Sequence, residues 1–111
     1  MPARADYVMP VRLDVTTGTE VRDALGIALD ASLDEVVVDC SDLEVLDAVG
    51  LGVIVGIHRR ARSRGRRLVL LGVRPPVMRL LAVTRLHRVL YLERGSMTAS
   101  SLLAGDVASI A

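Results

Sequence analysis

Three carboxylates, Asp39, Asp42 and Asp47, fall within nine positions at the C-terminal side of an aliphatic run, "EVVVD". Open α/β sheets place their sites at such strand ends. Carboxylates grouped there suit a phosphoacceptor with bound Mg²⁺. That chemistry normally also wants a lysine on a later strand, and all fourteen basic residues are arginine, so none is available. A phosphate-loop lysine and a Schiff base are excluded on the same ground. Turn formation and helix capping account for the three acids more simply, with Asp47 well placed as the N-cap of a helix beginning near Ala48. His58 and His87 have no metal-ligand spacing and no paired cysteine, so no metal site and no cofactor are assigned. Cys40, the only cysteine, sits at a strand end and reads as a small buried hydrophobe rather than a sensor thiol. Gly50-Leu51-Gly52 lacks the third glycine and the context of a dinucleotide loop. No serine–histidine–acid pattern is present, and the chain reads as a non-enzyme.

These residues hang on an alternation of strands and helices. "EVVVD" (35–39) and "RLVLL" (67–71) are continuous and aliphatic, as expected of strands covered on both faces. A helical pattern lies between them and ends at Gly65, which gives a strand–helix–strand unit with parallel strands. Upstream, Thr17-Gly18-Thr19-Glu20 has capping-box spacing and opens a helix to about Asp30, with Val21, Leu25 and Ala28 or Leu29 inward. "YVMPVRLDV" reads as one or two weak strands interrupted by Pro10. Downstream, Pro75 and Pro76 start a helix with Val77, Leu80, Leu81 and Thr84 on one face, and "RVLYL" (88–92) is the last strand. The expected fold is a small α/β domain over residues 1–95, with a mixed, mostly parallel sheet of four to five strands. Residues 96–111 form a tail or a short docking helix.

At 111 residues the chain is one domain. Its core must be aliphatic, because there is no Phe or Trp and only Tyr7 and Tyr91. A net charge of +1 argues against a dedicated nucleic-acid binder. One cysteine rules out an intrachain disulfide and fits a reducing compartment. The first ten residues lack the apolar run of a secretory leader, and Val49–Ile57 is about half the length that a bilayer span needs. The expectation is a cytoplasmic protein without membrane insertion, monomeric or weakly dimeric.

The segment "LDAVGLGVIVG" (46–56) asks for an explanation. At 100° per residue, Ile57, Ala61, Ile54, Leu51 and Val55 share one arc, with His58 at its edge. The opposite side carries Gly52, Gly56, Arg59 and Ser63, flanked by Val49, Val53 and Arg60. Each mid-helix glycine costs about 1 kcal/mol relative to alanine. Either the glycines allow a close helix–sheet approach, or they leave a smooth surface for another protein. Next comes "RRARSRGRR" (59–67), six arginines in nine positions. It suits a solvated helix end or pairing with an acidic partner face.

The stretch from "VVVDCSDLEVLDAVGLGVIVG" to "TRLHRVL", with "DVTTGTEVRDAL" before it, resembles the STAS domain of bacterial anti-sigma factor antagonists over about residues 12–92. The resemblance implies an anti-sigma factor or a serine-kinase-type switch protein as partner, and transcription regulated by partner switching, as in stress responses. It places the contact on Asp47, Ala48, Val49, Gly50, Leu51, Gly52, Val53, Gly56 and Arg60. Asp47, Gly50, Leu51 and Gly52 match the family pattern. Ala48 and Val49 stand where the family carries hydroxyls, one of which is the phosphoacceptor, so the usual switch is absent. The nearest serines, Ser41 and Ser63, do not match that position. The alternative is a STAS scaffold subunit of a lipid-transport or stress-signalling complex.

Overall fold

The two aliphatic runs become the central strands of the sheet. The computed structural model describes residues 5–94. In chain order the elements are β1 (Tyr7–Val8), β2 (Arg12–Leu13), α1 (Gly18–Ala31), β3 (Glu35–Asp39), β4 (Val45–Leu46), α2 (Ala48–Ser63), β5 (Arg67–Leu71), α3 (Pro75–Val83), a 3₁₀ turn (Leu86–Arg88) and β6 (Tyr91–Glu93). The main sheet has the order β1-β3-β5-β6 with every pair parallel, and β2 and β4 form a separate parallel pair. The fold is the expected α/β class.

Pro10 explains the split at the N-terminus. It has no N–H to donate, so the chain leaves the main sheet after Met9 bonds to Asp39 O. It then pairs again one residue later, where Val11 O accepts from Glu44 N and Val45 N. The small pair carries the entrance to α2.

One face of the main sheet, through Val36, Val38, Leu68 and Leu70, shares a core with Leu25 and Leu29 of α1, Ile54 and Ile57 of α2, and Val77 and Leu81 of α3. Val37, Val69 and Leu71 form a second cluster with Tyr91. Strand alternation puts them on the opposite face.

Four expectations need correction. The capping box does not form: Thr17 caps nothing, and its hydroxyl instead accepts from Asp14 N and donates to Arg12 O. Asp14 organises this turn, its carbonyl accepting from Thr17 N and Gly18 N. Of the face given to Val77, Leu80, Leu81 and Thr84, only Val77 and Leu81 are buried; Thr84 is exposed, its hydroxyl bonded back to Leu80 O and Leu81 O. The last strand starts at Tyr91, not residue 88. Arg85 adopts a left-handed conformation (φ 62°) that ends α3, and the N–H groups of Val89 and Leu90 both bond to Leu86 O.

The fourth correction concerns the phase of α2. Its buried residues are Gly50, Val53, Ile54, Ile57, His58 and Ala61, while Leu51 and Val55 are only half-buried. The helix packs against α1 as well as the sheet, so its buried arc is wider and rotated toward Val53. The expected boundary at residue 95 and the tail 96–111 lie outside the described residues.

Candidate partner-docking site

The start of α2 is built by Asp47. Its Oδ1 accepts from Gly50 N at 2.9 Å, closing the N-cap, and its Oδ2 accepts from Val15 N at 3.2 Å. One carboxylate therefore ties the helix to the loop before α1. Asp47→Ala is expected to cost about 1–2 kcal/mol, the range for losing a cap. Asp47→Asn, which keeps one acceptor oxygen, should cost less; urea unfolding of the pair checks the order.

Gly50 sits against β2. A methyl group there would stand 2.1 Å from Leu13 O and 2.8 Å from Leu46 Cδ1. Gly52 and Gly56 are the reverse case. Both are exposed, and a methyl group at either would meet nothing within 4 Å. The two readings of these glycines therefore divide between positions: close approach governs Gly50, and bare surface governs Gly52 and Gly56.

Ala48 is exposed and Val49 is 43% exposed, resting against Gly18 of α1. Val53, expected on the outward flank, is 1% exposed and belongs to the core. Gly50 is buried too, so these two shape the site from below rather than present surface. Arg60 is exposed but leans onto α1, where its guanidinium lies over Gly26. The sequence missed Val15, 71% exposed in the loop that Asp47 holds. The Asp14-Val15-Thr16 turn was its signal: Asp14 Oδ1 accepts from Thr16 N, an Asx-turn pattern.

The arginine run is largely used within the molecule. Arg64 pairs with Asp30, Arg66 donates to Leu29 O at 2.7 Å, and Arg67 pairs with Glu35 at 2.8 Å while its guanidinium lies 5.1 Å from the Tyr91 ring centre. The run stitches the segment from the end of α2 to the start of β5 onto the end of α1 and the start of β3.

The other candidate chemistry is accounted for by structure. Asp39 Oδ1 accepts from Ser41 N and Ser41 Oγ, a turn. Among the described residues, no three His, Cys, Asp or Glu side chains are grouped to hold a metal ion. Burial, with Asp39 beside it, pushes the Cys40 thiol up to about 12, which keeps it protonated and unreactive.

Among the described residues, three groups contribute to the acid response. His58, buried and 6.0 Å from the Tyr91 ring, has its pKa lowered by burial first and then by Arg62 and Arg59. Asp14 is held at about 2 by the Thr16 hydroxyl and then Arg12. Asp30 is lowered by its bond to Arg64. In each case the unfolded chain binds protons at a higher pH than the folded one, so stability falls on acidification. The His58 contribution is complete above its ordinary value of 6.5 and is lost as pH falls below it. Those of Asp14 and Asp30 are complete above 3.8 and are lost as pH falls further. Melting temperature should therefore decline in two steps between neutral pH and pH 2, and His58→Leu should remove the upper one.

The site is thus a capped helix with a bare outward flank, mounted on a parallel α/β sheet. The sequence model of the STAS domain matches residues 7–100, and the chain belongs to the STAS domain family. It is 27% identical over 88 residues to an anti-sigma F factor antagonist of Paenibacillus polymyxa, which covers 75% of each chain. Identity is also 27% over 88 residues to an anti-sigma-B factor antagonist of Listeria monocytogenes, covering 79% of this chain and 77% of that one. The crystal structure of a Thermotoga maritima protein described as an anti-sigma factor antagonist has the same fold. It superposes with a TM-score of 0.70 at 23% identity, over 89% of this chain and 86% of that one. No helix among the described residues is long and apolar enough to cross a membrane.

Proposed function

We propose that this protein is an anti-sigma factor antagonist that binds an anti-sigma factor or a serine-kinase-type switch protein and acts without catalysis of its own. The observation that carries the reading is the open flank of α2, where Gly52 and Gly56 present backbone to solvent next to exposed Val49. A protein surface pressed there reaches the helix with little side-chain ordering to offset. Ala48, Val49, Leu51, Gly52 and Gly56 form the contact, Val15 extends it, and Asp47, Gly50 and Val53 hold it in shape. Arg60, which leans from α2 onto α1, borders it.

The usual control is missing in this reading. A phosphate at the start of α2 would meet free N–H groups and the positive end of the helix dipole, and it would place a dianion in an apolar contact. Ala48 and Val49 have no oxygen to accept it. Incubation with the cognate kinase and ATP should leave residues 48 and 49 without added phosphate, and Val49→Ser should gain it; intact-mass analysis reads both.

The main test is Gly56→Glu. The position is open and glutamate is a better helix former than glycine, so melting should stay level or rise. Binding to its cognate anti-sigma factor should weaken by about a hundredfold or more, in keeping with a charge buried in a contact. Undiminished binding would remove this surface from the proposal.

A further inference from the structure

Residues 48–92 carry ten arginines and no carboxylate. Acids from the first half of the chain pair with three of them: Asp30 with Arg64, Glu35 with Arg67, and Glu44 with Arg74. Arg66 donates to Leu29 O, and Arg60 lies over Gly26. That leaves Arg59, Arg62, Arg79, Arg85 and Arg88. All five are exposed, and none has an ion pair among the described residues.

The topology gathers them. In chain order α2 lies between β3 and β5 and α3 between β5 and β6, and both pairs are parallel, so both helices run back against the strands and finish where β5 and β6 begin. Tyr91 opens β6 at that end, its ring centre 5.1 Å from the Arg67 guanidinium and 6.0 Å from the centre of the His58 ring. Arg62 and Arg59 lie close enough to His58 to lower its pKa beyond what burial does. Arg88 stands three residues before Tyr91, and Arg79 and Val83, four apart and both exposed on α3, lead down to Arg85. Arg85 carries a separate sign of use. It follows α3 in the left-handed conformation (φ 62°), where helices favour glycine because a side chain is strained there. Its N–H donates to Ala82 O and its carbonyl accepts from Arg88 N, bonds that any residue but proline could make. Nothing among the described residues asks for an arginine at this position, and strain of this kind collects at functional sites.

We propose that these five arginines bind an acidic segment of a partner protein, with its carboxylates on the guanidinium groups and an aliphatic side chain against Val83. Guanidinium forks take carboxylates two hydrogen bonds at a time. Val83 and Val89, 81% and 50% exposed, suit a protein segment. A bilayer surface is held instead by larger residues such as Trp, Phe or Leu. Single-stranded nucleic acid needs rings on which bases stack, and the tyrosine at this end, Tyr91, is half-buried with Arg67 over its ring. Attraction of this kind speeds association and weakens with salt. The site uses neither Gly52 nor Gly56 and does not depend on the proposed docking role.

Fluorescence anisotropy tests it on the full chain, with a labelled peptide of glutamates around one leucine. Binding should saturate in roughly 20 mM salt and disappear in roughly 500 mM. Arg88→Glu should raise the dissociation constant by about tenfold, whereas Arg22→Glu, the same change of net charge on an exposed position of α1, should alter it by less than about twofold. Arg85→Gly should weaken binding severalfold while melting at or above the wild-type temperature, because glycine relieves the left-handed strain. A wild type that ignores the peptide in low salt overturns the proposal, as does an Arg85→Gly protein that binds undiminished. Equal losses from Arg88→Glu and Arg22→Glu also overturn it, since net charge alone would then explain the binding. Tighter binding through Arg88 to single-stranded DNA or to phosphatidylserine vesicles than to the peptide overturns it too, and assigns the face to a nucleic acid or a membrane.

Discussion

Gly50→Ala is expected to destabilise the domain by about 3 kcal/mol or more, at the upper end of overpacking costs. The added methyl group would stand 2.1 Å from Leu13 O, a backbone atom with nowhere to go. Leu13 is fully buried, is held in register with Leu46, and also accepts from Asp47 N at 3.4 Å. Moving it would break the β2–β4 pair and the entrance to α2 together. For a domain of this size the melting point should drop by roughly 12–20 °C. Gly52→Ala and Gly56→Ala are the controls. Neither methyl group meets anything, so each should raise stability by about 0.5–1 kcal/mol through helix propensity alone. Three glycine-to-alanine changes within seven positions of one helix thus differ in sign. A Gly50→Ala protein that melts with the wild type would overturn this account of the β2–α2 contact.

Val53→Asp should be comparably damaging, at about 3 kcal/mol or more, and for a different reason. Val53 is 1% exposed within the main core, next to Gly18 of α1. An aspartate there must either bury a charge or take up a proton, and both oppose folding. Val49→Asp, one turn earlier and 43% exposed, keeps its carboxylate in water and should change the urea midpoint little. If the two variants unfolded at the same urea concentration, the wide buried arc of α2 would be wrong.

Both predictions turn on what the sequence could and could not reveal. The central strands were legible because 35–39 and 67–71 are uninterrupted aliphatic runs, and Asp47 was legible as a cap because the helix pattern starts directly behind it. The outward setting of Gly52 and Gly56 was legible from the 100° spacing. Val53 was not, because that construction allows one buried face and α2 has two neighbours, the sheet and α1. The capping box failed for a local reason: Asp14, three residues earlier, offers a carbonyl and a carboxylate to the same turn and takes Thr17 out of service. The arginine run misled because its partners, Asp30 and Glu35, are about thirty residues away in sequence and only the sheet brings them close.

The strand pairings also determine how the chain reaches its native state. Tyr7 pairs with Val38, Arg12 with Val45, Glu35 with Arg67, and Val69 with Tyr91. Every partner is more than twenty residues away, and no hairpin among the described residues offers a local start. Each pairing must first close a long loop, which places refolding in the slower range for a domain of this size, from about milliseconds to seconds. On the ribosome, β1 has no partner to join until α1 and β3 have emerged behind it.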